Sequence, residues 1–240
     1  MHMLPVYRTS EGIENIGQNY QTFTACETIF QNNGIVLIFS EGLCINEWHL
    51  RALKKGTARI VLSSWAAGIP LQVLPTGINY QSFCSFGKNI HLHFGQSFFK
   101  DAVIIGEGYG KSVQAFNDLL RLRLQPLIYE IPREERAVRE RIFRVPVPTL
   151  KKILLILPAS AAVLFHFPLY FPVKKFAWKL GEGSGHYDSL LIALLFIGYP
   201  FYLTTIGLFT FFLCGKIAAM LIILLMPVFA RCYIQVKNQF

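Results

Sequence analysis

Beyond Lys151-Lys152 the chain carries three long apolar runs, Ile153–Val173, Ser189–Leu213 and Ile217–Val236, and no other feature limits its fold so strongly. A run of ~20 apolar residues matches the hydrocarbon core of a bilayer, where every backbone amide must be satisfied within the segment and only a helix does so for a single run. Ser189–Leu213 is uncharged and reads as a span. Ile217–Val236 carries one charge, Arg231, near its end, and spans if that side chain snorkels to the interface. In Ile153–Val173 the residues Pro158, His166, Pro168 and Pro172 interrupt the pattern, so a broken or interfacial helix competes with a span.

The chain therefore divides at about residue 150. Residues 1–150 hold 15 Lys and Arg against 12 Asp and Glu; residues 151–240 hold 8 against 2, so the basic surplus flanks the apolar runs. Positive charge beside apolar segments points to anionic lipid headgroups. Nucleic acid is not an expected partner, because no basic stripe interleaved with aromatics occurs in the polar half. The Lys174, Lys175, Lys179 group and the Arg231, Lys237 end both face the cytoplasm if the last two segments form a hairpin. Five cysteines without a C-x-x-C pair fit neither a zinc cluster nor a disulfide framework and read as reduced thiols. The N-terminal MHMLPVYRTSEG has no signal-peptide pattern.

Residues 1–150 alternate between short apolar runs and helical patterns. Met3–Tyr7 reads as a strand ending in a polar turn, Ile16–Gln31 as a helix stopped at Asn32-Asn33-Gly34, and Ile35–Phe39 as a strand buried on both faces. Asn46–Ser64 follows as a helix, Leu71–Pro75 as a buried strand, Ile90–Phe94 as a half-exposed strand and Lys111–Leu124 as an amphipathic helix. Strand–helix–strand order predicts right-handed crossovers and an α/β fold with a mostly parallel sheet flanked by helices. The charged stretch Pro132–Arg144 predicts a solvated or headgroup-facing helix ahead of the membrane region.

Three groups of residues suggest chemistry. Ser40-Glu41-Gly42 follows a strand, where ligands of open α/β sheets bind, although a turn acid capping the next helix gives the same pattern. Arg8 ends the first strand, and a guanidinium there clamps a phosphate through two parallel hydrogen bonds. Lys54-Lys55-Gly56-Thr57 sets two ammonium groups beside a permissive backbone. The run Gly106–Ser112 has isoleucine and lysine where a P-loop or a dinucleotide turn needs glycine, so it reads as a loop. His91 and His93 share a strand face without a third metal ligand at sensible spacing; no metal site is expected, and alanine at either position is expected to do little.

The order of these motifs resembles the glycerolipid acyltransferases, the glycerol-phosphate and lysophosphatidic acid acyltransferases. Their third motif is Phe-Pro-Glu-Gly, here Phe39-Ser40-Glu41-Gly42, and their fourth a Val-Pro-Val-Gly-type strand end, here Val73-Leu74-Pro75-Thr76-Gly77. Leu4-Pro5-Val6-Tyr7-Arg8 is similar to their second motif. The resemblance covers about residues 3–125. It implies that Arg8, Glu41, Gly42, Lys54 and Lys55 hold the phosphate and glycerol end of a glycerol-phosphate or lysophosphatidate acceptor, with acyl-CoA or acyl-ACP (acyl carrier protein) as donor and no further cofactor. It also implies membrane lipids as partners, the bacterial inner (cytoplasmic) membrane as location and an α/β domain on the cytoplasmic side.

The family's first motif, His-x-x-x-x-Asp, supplies the general base. Five residues after His2, His49, His91, His93, His166 and His186 stand Tyr7, Lys54, Gln96, Phe98, Phe171 and Leu191, so no histidine of this chain starts that motif. The expectation is an incomplete acyltransferase-like domain over residues 1–150 and a membrane region over 151–240. Two alternatives accompany it: a non-catalytic lipid-binding relative, and an acyltransferase for an aminolipid acceptor. A transporter fits poorly, because the apolar runs are almost free of charge.

Overall fold

A computed structural model of the chain describes residues 3–6, 17, 19–43, 45–104, 106, 108–182 and 186–237. Seven α-helices and two strands are resolved among them: α1 (Asn19–Gln31), α2 (Lys55–Ala66), β1 (Thr76–Tyr80), β2 (Ile90–Phe94), α3 (Tyr109–Leu124), α4 (Arg136–Phe143), α5 (Thr149–Gly181), α6 (Tyr187–Cys214) and α7 (Lys216–Lys237). They fall into two compact units, one of residues 1–44, 48–79 and 92–130, the other of residues 45–47, 80–91 and 131–240.

The first unit is built on α2 and α3. Ala58, Val61, Leu62 and Trp65 of α2 recur at helical spacing and meet Val113, Phe116, Leu120 and Leu124 of α3, with Phe98 and Val103 filling the space between. Trp65 and Phe98 both pack against Phe116, with ring centroids 5.9 and 6.0 Å away. Each such ring contributes about 1.5–3 kcal/mol through burial. The α2 helix stops where Gly68 takes φ +77°, which lets the Gly68 and Ile69 amides turn back to the Trp65 and Ser64 carbonyls.

The helix expected from Asn46 begins at Lys55 instead. The amides ahead of it are taken by distant acceptors: Leu50 donates to Glu130 Oε1 at 3.1 Å, Arg51 to Glu41 Oε1 at 2.9 Å and Lys54 to the Ser40 carbonyl at 2.7 Å. A backbone N–H donating outward cannot also close an α-helical turn.

The mostly parallel sheet is not seen among the described residues. The sheet has two strands, β1 and β2, and the bonds Gly95 N to the Pro75 carbonyl and Gln81 N to the Asn89 carbonyl run them antiparallel. Leu71–Pro75 contributes only the antiparallel bridge Val73–Phe98. Ile35–Phe39 is not assigned to a strand and has no ladder among the described residues, and Ile35, Leu37 and Phe39 are 95%, 63% and 70% exposed rather than buried. A strand needs a neighbour to satisfy its backbone, and the apolar composition of this run provides none. The first expected strand falls partly outside the described residues; its described part, residues 3–6, is not assigned as a strand.

In the second unit α5, α6 and α7 pack together, and all three are long and apolar enough to cross a membrane. The α5 helix runs unbroken through Pro158, Pro168 and Pro172 for 33 residues, so the competing broken helix is not what forms. Its contacts with α6 are antiparallel: His166 Nε2 lies 3.1 Å from the Tyr199 hydroxyl, and Tyr202 donates to the Phe165 carbonyl at 2.6 Å. The second of these bonds gives a polar partner to a carbonyl in the proline-rich stretch of α5. Leu157, Pro158 and Leu164 of α5 line a shallow cleft with Phe229 of α7. At the α5–α6 turn Ala177, Tyr187 and Leu191 form a small core.

Candidate functional site

The turn Ser40-Glu41-Gly42 is built against the start of α2. The Gly42 amide donates to the Phe39 carbonyl at 3.1 Å, and Gly42 takes φ +65°, a conformation that favours glycine. Added bulk at Gly42 would also press on Lys54 Cγ, 2.9 Å from an ideal Cβ, so this glycine admits the lysine stem to the turn. Two further bonds hold the turn to the helix: Lys54 N donates to the Ser40 carbonyl at 2.7 Å, and the hydroxyls of Ser40 and Thr57 lie 2.9 Å apart. The serine that stands where the family motif has proline thus has a structural use, since proline offers no hydroxyl.

Four of the five candidate residues, Glu41, Gly42, Lys54 and Lys55, come together at one helix N-terminus. Arg8 lies outside the described residues. The α2 terminus has no acidic residue in its first turn and no side-chain cap, while Lys54 and Lys55 are exposed. Helix-terminal N–H groups, the positive end of the macrodipole and two ammonium groups suit an anion such as a phosphate. Glu41 is not aimed at solvent alone: its Oε1 accepts the Arg51 amide, so it also fixes the loop that leads to Lys54.

His93 lies elsewhere in the same unit and is held on both ring nitrogens. Its Nδ1 is 3.1 Å from the Leu127 carbonyl, which only accepts, so Nδ1–H donates; in the neutral ring Nε2 then accepts from the Tyr129 hydroxyl at 3.1 Å. Asn79 completes the network, donating to the Leu127 carbonyl and accepting from the Tyr129 amide, both at 2.8 Å. In the second unit His91 packs on Phe143, ring centroids 4.7 Å apart. Sequence reasoning missed Asn79, Tyr129 and Glu130, because their partners stand 34 to 80 positions away and leave no spacing pattern. A broader cleft of about 760 Å³ is lined by Trp65, Ile69, Leu71, Phe99, Lys100 and Val103 and includes none of the motif residues.

Comparison with protein-family models, with curated proteins and with solved structures yields no match to the chain.

Proposed function

We propose that the chain acts in phospholipid synthesis as an acyltransferase-type membrane protein that holds the phosphate end of a glycerol-phosphate or lysophosphatidate acceptor. One observation supports this reading above the others: the Ser40-Glu41-Gly42 turn is stitched to the N-terminus of α2 beside Lys54 and Lys55, in a chain with three membrane-compatible helices. The reaction places the acceptor hydroxyl on the carbonyl carbon of an acyl thioester carried by coenzyme A or acyl carrier protein. The new C–O ester bond forms as the C–S bond breaks, and the hydroxyl proton passes through a base to the departing thiolate.

The reading carries a fold with it. Ile35–Phe39 and Leu71–Pro75 take places in a larger, mostly parallel sheet, a role supported by the exposed apolar side chains of the first. The cytoplasmic face of a bacterial inner membrane is the proposed location, since the thioester donors are cytosolic.

The absence of His-x-x-x-x-Asp from this sequence favours a second reading, a lipid-binding relative that retains the acceptor site without turnover. The two separate in one set of assays on the purified full chain. Acceptor binding is measured calorimetrically with glycerol 3-phosphate and lysophosphatidate, and turnover with a radiolabelled acyl thioester. Both readings expect binding that Arg8→Ala weakens by about 1.5–3 kcal/mol. Loss of general-base catalysis lowers turnover by roughly 10²–10⁴-fold, so weak turnover favours the enzyme and none favours the binding protein. No acceptor binding at all refutes both.

A further inference from the structure

Segment 80–91 precedes α5 in the chain, yet it meets the end of the bundle where α5 leaves, α6 begins and α7 ends. The Lys237 ammonium donates to the Phe86 carbonyl at 2.8 Å, a Cβ at Gly87 would lie 2.9 Å from Ile234 Cγ1, and Lys88 is ion-paired with Asp188 in the first turn of α6. The exit of α5 is at the same place, since a Cβ at Gly181 would stand 3.0 Å from the Tyr187 Cα. Among the described residues α5 is the one candidate span between segment 80–91 and Asp188. A helix that crossed once would leave residues 86–88 and Asp188 on opposite faces, separated by a hydrocarbon core of about 30 Å.

The entry of α5 is tied to the same segment. The Phe143 carbonyl accepts from the Asn89 side chain at 2.8 Å, and the Phe143 ring packs on His91. Only residues 144–148 join Phe143 to α5, and the six Cα steps from Phe143 to Thr149 reach at most about 22 Å, short of a hydrocarbon core. Both ends of α5 are therefore held to one face. Since α6 packs antiparallel along α5, the α6–α7 turn returns to the entry end of α5 and to that same face. The charges agree: Lys151, Lys152 and Lys216 mark one end of the bundle, and Lys174, Lys179 and Lys237 the other. Three spans would translocate one of these basic sets, against the positive-inside preference.

We propose that α5, α6 and α7 form a monotopic anchor that lies within one leaflet, with both ends of the bundle on the face that carries segment 80–91. Its partner is the lipid of that leaflet: the exposed Leu164, Phe196 and Leu224, one on each helix, supply apolar surface for acyl chains, and the lysines at both ends reach the headgroups on one side. The anchor does not depend on acyl transfer.

The test uses sealed inside-out and right-side-out membrane vesicles carrying the full chain, with a membrane-impermeant maleimide. Where Cys26, Cys44, Cys214 and Cys232 are changed to serine, the exposed Cys84 reports on segment 80–91; with Cys84→Ser added, Glu182→Cys reports on the α5–α6 turn and Lys216→Cys on the α6–α7 turn. The expected result is labelling of all three positions in one vesicle orientation and protection of all three in the other. Labelling of position 182 from the face opposite Cys84 shows that α5 spans, and labelling of position 216 from that opposite face shows that α6 and α7 cross as a hairpin; either overturns the anchor. A position that reacts only after detergent is added lies inside the bilayer and overturns it as well, as does recovery of the chain in the soluble fraction. Cross-linking of Lys88→Cys to Asp188→Cys by a short bismaleimide in the same vesicles checks the contact independently, and its failure in a chain that labels normally contradicts the shared face.

Discussion

The carboxylate of Glu41 accepts the backbone N–H of Arg51 at 2.9 Å, ten positions ahead, and so joins the motif turn to the loop that feeds α2. Glu41→Ala leaves that half-buried amide without its acceptor and is expected to lower stability by about 1–3 kcal/mol. Glu41→Gln keeps an acceptor oxygen and is expected to cost less than half as much while weakening acceptor handling. Thermal melts of the detergent-solubilised chain, set beside acceptor titrations, check both. Equal melting points for the two variants argue against the clamp.

Gly77, the last residue of the fourth-motif resemblance, is a close-approach glycine. A Cβ there would collide with the Leu127 carbonyl oxygen and lie 2.8 Å from Leu127 Cβ. Neither atom is the end of a flexible side chain, so Gly77→Ala is expected to destabilise by about 1–3 kcal/mol. Gly56→Ala meets nothing within 4 Å and serves as the control. A denaturation midpoint unchanged in Gly77→Ala contradicts the packing.

His93→Phe and Tyr129→Phe each remove a polar group from the network around the Leu127 carbonyl, and each is expected to cost about 1–2 kcal/mol. Because the two side chains bond to each other, a double-mutant cycle is expected to show coupling above ~0.5 kcal/mol. Additivity within error shows that the bond contributes nothing. The expectation that alanine at position 93 does little is replaced by this one, since both ring nitrogens have partners.

Cys26 is buried in α1, and burial, followed by the charge of neighbouring Glu27, pushes its thiol pKa above the ordinary value of 9.0. A thiol ionises more readily in the unfolded chain when its folded pKa is raised. Its contribution to stability is therefore fully present below the ordinary value of 9.0 and is lost as the pH rises above it through the raised folded-state value. Cys84 is exposed. Mapping iodoacetamide adducts at pH 8 is expected to show Cys84 labelled well ahead of Cys26; faster labelling of Cys26 contradicts its burial.

The three long helices predict integral attachment. Washing membranes at pH 11 in carbonate is expected to leave the chain in the pellet, because the three helices are 33, 28 and 22 residues long and apolar enough to cross a membrane. Release to the supernatant identifies them as core helices of a soluble assembly.

The sequence by itself determined what depends on near neighbours. The apolar runs became α5, α6 and α7, because composition alone makes them helical in lipid, and the amphipathic pattern of Lys111–Leu124 became α3, with Val113, Phe116 and Leu120 on its buried face. The candidate residues Glu41, Gly42, Lys54 and Lys55 were legible as motifs, but their meeting at one helix end was not.

Tertiary structure decided the matters that turn on where a backbone N–H or a charge finds its partner. Glu130 and Glu41 delayed the start of α2 by drawing away the amides of Leu50 and Arg51, and five apolar residues at Ile35–Phe39 formed no ladder among the described residues. The Asn79, His93 and Tyr129 network and the bond from the Lys237 ammonium to the Phe86 carbonyl belong to the same class. Hydrogen bonds and charges act through space at a few ångströms, while sequence periodicity records only which residues share a face of one element. Residues brought together from 34 to 80 positions apart therefore leave no periodic trace until the chain is folded.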